Sequence, residues 1–171
     1  MPASIDFRLY VFSLDRILSA GRYLGHRTYW KLFFLENIFR ILINSILTVS
    51  QGQNWWELAV DKRIRKNVER FQIQYSKKAW RSNPGKHGLY YVGLSDLSEI
   101  MRANADFIRE VIPDIDDWLV NIETLRIPRN TLAHMNSPSV TDLGLIDQLY
   151  ILSRGLLPKL STKKIQTLIP T

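Results

Sequence analysis

Nine cationic side chains fall between Asp61 and His87: Lys62, Arg63, Arg65, Lys66, Arg70, Lys77, Lys78, Arg81 and Lys86. Only Asp61 and Glu69 oppose them there, and the rest of the chain carries 14 basic and 14 acidic residues, so this segment holds the whole net charge of +7. Phe71, Tyr75, Trp80, Tyr90 and Tyr91 lie within it or just after it. Cations follow a phosphate backbone and aromatic faces stack on unpaired bases, so this is the composition of a nucleic-acid surface. Arg63, Lys66, Arg70, Lys77, Lys78 and Arg81 are its expected contacts. A solvated amphipathic helix with its aromatics turned inward has the same composition, and charge alone does not separate the two.

Two other segments put polar groups on helices that are otherwise apolar. Over Thr28–Ser50, Glu36, Asn37, Arg40 and Asn44 fall within an arc of about 100°, and apolar residues from Phe33 to Leu47 cover most of the remainder. Glu36 and Arg40 stand four apart in the acid-first order, which lets them pair. That seam either satisfies itself, lies on a solvent face, or serves a site. Over Ile115–His134, Ile115, Trp118, Leu119 and Ile122 mark a buried stripe whose azimuth, carried forward, meets Arg126 and Arg129. Asn130 and His134 lie on one edge of the same sector. Buried guanidinium groups are costly unless paired, so either this helix end leaves the core or the cluster lines a cleft. Pro128 removes a helix hydrogen bond and predicts a kink.

The positioning elements read as helices throughout. Apolar periodicity predicts helices over Ile5–Ala20, stopped by Gly21 or Gly25, over Thr28–Ser50, and over Trp55–Lys78 as one basic helix. Ser82–Gly93, with Asn83-Pro84-Gly85 and Gly88, reads as a loop. Asp96 with Glu99 reads as an N-cap and its partner, opening a helix to about Val111. Ile115–His134 follows, then Thr141–Leu157 ended by Pro158, then a short basic tail over Lys159–Thr171. The fold class is all-α, a bundle of five or six helices in a single domain over residues 1–171.

Composition narrows the chemistry further. With 171 residues the chain has the length of about one domain, and 46% hydrophobic with 23% charged residues excludes a disordered polymer. The absence of cysteine removes disulfides, thiolate zinc sites and cysteine nucleophiles, and fits a cytoplasmic location. There is no clustered Asp/Glu/His spacing for a metal and no glycine-rich phosphate loop. Leu32–Val49 is apolar, but its Glu36, Asn37, Arg40 and Asn44 make it a buried helix rather than a membrane span, and Met1–Leu9 does not read as a signal peptide. His26 and His87, in expected loops beside basic residues, read as surface histidines.

The stretch Leu125-Arg126-Ile127-Pro128-Arg129-Asn130-Thr131-Leu132-Ala133-His134 resembles the arginine-x4-histidine signature of the HEPN domains, whose arginine is often followed by asparagine. Leu35-Glu36-Asn37-Ile38-Phe39-Arg40, running on to Gly52-Gln53-Asn54-Trp55-Trp56, and the helix beginning Leu94-Ser95-Asp96 are similar to a branch found in RNA-processing and phage-defence proteins. The resemblance covers about Leu32–Pro158. Pro128, directly before the arginine, departs from the pattern. The resemblance implies an α-helical bundle that dimerises with its motif helices at a shared cleft, and metal-independent endoribonuclease activity without a cofactor. Arg129, Asn130 and His134 would then be catalytic: His134 as general base on a ribose 2′-hydroxyl or general acid on the leaving oxygen, Arg129 on the phosphate, and Asn130 orienting either. Glu36, Arg40 and Arg126 would support them, and the product would be a 2′,3′-cyclic phosphate or its hydrolysed form. The implied partners are RNA, tRNA among them, a second copy of the chain, and a cognate antitoxin, with no membrane. A HEPN module that only binds RNA, nucleotide or protein is the alternative. A helical scaffold unrelated to RNA is a third reading.

Overall fold

A computed structural model describes residues 14–78, 80 and 82–171, and every regular element among them is helical. The α-helices are α1 (Leu14–Leu24), α2 (Trp30–Gln51), α3 (Trp55–Ala59), α4 (Lys62–Ser76), α5 (Leu94–Ala103), α6 (Ala105–Arg109), α7 (Ile115–Ala133), α8 (Val140–Ser153) and α9 (Leu156–Thr162). A π turn, Gly25–Tyr29, joins α1 to α2, and a 3-10 turn, Gly88–Tyr91, precedes α5. The all-α bundle is as expected. Its helices outnumber the expected five or six because several periodic runs are interrupted.

α2 is the axis. Leu35, Ile38, Phe39, Leu42, Ile43, Ile46 and Leu47 are buried on it, against α5, α6, α8 and α9. α7 lies across α5 and α8, and the rings of Phe39 and Trp118 meet edge-on at 5.8 Å between α2 and α7. From Ile17 to Gln51 the helical run is long and apolar enough to cross a membrane, but half of its most apolar window is buried inside the bundle. Gly52 ends it with φ of 83°, a left-handed conformation that suits glycine, and its N–H closes on the Thr48 carbonyl at 3.0 Å.

Gly21 lies inside α1, whereas α1 ends at Leu24, directly before Gly25, and the run continues from there as a π turn. A glycine costs about 1 kcal/mol against alanine in a helix and is not by itself a terminator. At Gly25 the ladder widens into the π turn, which the buried Thr28 joins by donating to the Leu24 carbonyl at 2.6 Å. The part of that expected helix before Leu14 lies outside the described residues.

The expected basic helix is two helices. Val60 is extended (φ −106°, ψ 133°), and the Asp61 carboxylate then caps α4 by accepting the Arg63 N–H at 2.7 Å. α5 begins at Leu94, capped by Gly93, so Asp96 sits inside its first turn rather than capping it. The break at Asn104 is held by its buried amide, which donates to the carbonyls of Ala59 and Ile100 and accepts from Gln51. α7 passes through Pro128 unbroken. α8 opens on a Ser139–Asp142 capping box and ends at Ser153 rather than Leu157. Pro158 sits in the first turn of α9, where a missing N–H costs no helix hydrogen bond. Beyond α9 the chain returns along α2: the Leu168 N–H donates to Ser45 Oγ at 2.8 Å and Asn44 donates to the Leu168 carbonyl at 3.0 Å.

Candidate functional site

The polar seam of α2 meets the end of α7. Arg40, with 14% of its side chain exposed, uses every arm of its guanidinium: Nε donates to the Leu89 carbonyl at 2.9 Å, Nη2 to the Val92 carbonyl and Glu36 Oε1 at 3.0 Å, and Nη1 to Asn37 Oδ1 at 3.2 Å. It therefore ties the 3-10 turn and the strap behind it to α2. Burial holds its pKa below the ordinary arginine value and the positive charge of Arg129 pushes the same way, while Glu36 offsets both.

Arg129 is held more loosely. Its Nη2 lies 3.7 Å from the same Glu36 oxygen, its Nη1 reaches Asn130 Oδ1 at a long 3.4 Å, and 34% of its side chain is exposed. One carboxylate thus faces two guanidinium groups, and the cluster keeps a positive charge with spare donors on Arg129. Two oxygens of a phosphate suit such a fork. Gly93 lies beside it, since a Cβ there would come 3.9 Å from Arg129 Nη2. His134 caps the C-terminus of α7, its backbone N–H on the Asn130 carbonyl at 3.0 Å, and its exposed ring makes no hydrogen bond to the described residues.

The structure thus brings together Glu36, Arg40, Arg129 and Asn130 and leaves His134 at the surface one turn further on. Arg126 does not join them. Its side chain is 47% exposed and paired with Glu123 at 3.3 Å, because the buried stripe of α7 continues through Leu125 and Pro128 instead of turning to arginine. Asn37, read as part of the seam, proves to be the fourth partner of Arg40.

Of the expected RNA contacts, Arg63 is drawn onto Glu99 at 2.5 Å, and its neighbour Arg65 onto Glu57. Lys66, Arg70, Lys77 and Lys78 are exposed on or just past α4 and form no ion pair with the described residues. Arg81 lies outside those residues. Among the aromatics of this segment, Tyr90 donates to the Pro170 carbonyl and Tyr91 to Asn83 and Gly85, so both serve packing. Phe71 and Trp80 are exposed.

His87 is no surface histidine. Its ring stacks on the buried Trp55 at 5.4 Å and meets Trp56 edge-on at 5.3 Å, and its Nδ1 accepts the Leu89 N–H at 3.1 Å, capping the 3-10 turn. Burial pushes its pKa below the ordinary value. Gly88 is required beside it, since a Cβ would come within 2.2 Å of the Trp56 ring. Trp55 and Trp56 are thus internal packing. His26 is exposed, as expected, but on the π turn rather than in a loop.

Among the described residues no group of three or more His, Cys, Asp or Glu is placed to hold a metal. No protein-family model, curated protein or solved structure matches this chain.

Proposed function

We propose that the protein is a metal-independent endoribonuclease of HEPN type. One observation carries this reading: Arg129 stands one third exposed beside Glu36, only partly neutralised, five residues before a solvent-facing histidine at the end of the same helix. The guanidinium would hold the scissile phosphate and stabilise charge on its oxygens, and Asn130 would orient it. His134 would take the proton from the ribose 2′-hydroxyl or deliver one to the departing 5′ oxygen. Its exposure fits a composite site in which a second copy of the chain lays its own motif helix alongside. Glu36 and Arg40 position Arg129 rather than touch RNA. The role as a toxin or phage-defence effector, and the cytoplasm as its place of action, rest on the resemblance alone.

The test is cleavage of total tRNA by the purified protein in EDTA, with Arg129→Ala and His134→Ala beside it. Each substitution is expected to lower the rate by about 100-fold or more, the usual worth of one oxyanion donor or one general base. Cleavage that persists in His134→Ala overturns the mechanism. Salt-sensitive binding without cleavage supports the binding-module reading instead.

A further inference from the structure

Side chains three and four apart share a helix face, and Phe71, Gln74 and Tyr75 on α4, with Lys78 just past its end, line a half-open groove of about 430 Å³ including its mouth. Its floor is aromatic and fixed. Tyr75 is half-buried with its ring edge-on to Tyr91 at 5.8 Å, and the Tyr91 hydroxyl is anchored on Asn83 at 2.8 Å and Gly85 at 2.9 Å. Phe71 is 47% exposed at the wall. Gln74 is exposed and its amide makes no hydrogen bond with the described residues, and Lys78 contributes a positive charge without an ion pair. Aromatic faces, an amide with both a donor and an acceptor, and a cation fit a planar base whose edge is polar and whose backbone is anionic. The base must be unpaired, because in a duplex its faces and pairing edge are already covered.

We propose that this groove is a base-binding subsite for single-stranded RNA, placed to feed a neighbouring phosphate to Arg129. A short strap, Tyr91-Val92-Gly93, lies between the two places. Tyr91 backs the groove floor, the Val92 carbonyl is held by Arg40, and Gly93 lies against Arg129. From Tyr91 to Gly93 the chain spans at most about 7 Å. That strap has the backing of the groove at one end and Arg129 at the other, so a single strand several nucleotides long, seated in the groove, would run on toward the arginine. The phosphate half of this inference rests on the ribonuclease reading, and the base half does not.

The experiment measures affinity for a labelled 2′-O-methyl RNA strand, which offers no free 2′-hydroxyl, so binding is read whether or not the protein cleaves RNA. Phe71→Ala is expected to weaken binding of the single strand by roughly 5- to 100-fold, the worth of one stacked base. Phe71→Trp is expected to retain it, and a blunt RNA duplex of equal length to be indifferent to both. An unchanged affinity in Phe71→Ala, an equal loss for the duplex, or competition by polyglutamate as strong as by RNA overturns the proposal. EDTA-resistant cleavage that ignores Phe71 defeats the groove alone. Phe71-dependent binding without any cleavage defeats the ribonuclease alone.

Discussion

Arg40 and Arg129 share one oxygen of Glu36 and yet answer to different physics. Arg40 is enclosed and closes two backbone carbonyls of the 88–92 segment, so its removal leaves Glu36 only the more distant Arg129 and frees those carbonyls in a place that water reaches poorly. Breaking such a pair costs about 3 kcal/mol. Arg129 makes only long contacts and faces solvent, so its loss falls within the range of a surface pair, under about 1 kcal/mol. Urea denaturation of Arg40→Ala and Arg129→Ala is expected to show that contrast. Similar midpoints for the two would mean that Arg40 does not hold the turn. Activity lost in Arg40→Ala is therefore a statement about folding, and only Arg129→Ala speaks to chemistry.

At the scale of elements, the 3-10 turn at Gly88–Tyr91 is docked on α3 by the His87 ring between two tryptophans. Because the folded state disfavours the imidazolium, its pKa lies below the unfolded value of about 6.5. Above that value the ring is neutral in both states. As pH falls through the window down to the folded pKa, the unfolded chain takes the proton first, so stability is lost. Thermal unfolding between pH 7 and 5 is expected to show a falling Tm that flattens in His87→Gln, and parallel slopes for the two proteins would refute this. Such a docking was not legible in the sequence, where a histidine beside Lys86 and Gly88 gives no sign of what lies across from it. Periodicity did expose the long helices and the α2 seam, since a three- and four-residue repeat is a local property. It missed the breaks at Val60 and Asn104, which depend on contacts between helices. Glu36, Arg40 and Arg129 were legible as polar groups on apolar helices. Arg126 was misplaced because carrying an azimuth forward does not tell the middle of a stripe from its edge, and Leu125 and Pro128 hold the middle. Gln74 could have been found, since its spacing from Phe71 and Lys78 is helical.

Over the whole molecule, the net charge of +7 is less available than its sum suggests. Glu99 and Glu57 neutralise Arg63 and Arg65, and of the expected RNA contacts among the described residues Lys66, Arg70, Lys77 and Lys78 form no ion pair. Each phosphate met by a cation on a single strand contributes about −0.7 to the slope of log affinity against log salt. Binding to single-stranded RNA is accordingly expected to fall with a slope of about −3, reduced by about 0.7 in Lys77→Ala. A flat salt titration would remove α4 as the strand path.

The run from Ile17 to Gln51 is helical over 35 residues, α1 and α2 joined through the π turn, about 52 Å of helix at the usual rise. It is clamped to α8 where Asp147 grips Arg27 and Lys31. Outward of that clamp, from Asp15 to Leu24, Ala20 is the sole buried side chain among those described. The outer turns can therefore unwind and re-form while the core stays folded, at a free energy well below that of global unfolding. Limited proteolysis is accordingly expected to cut within α1 before it cuts α2.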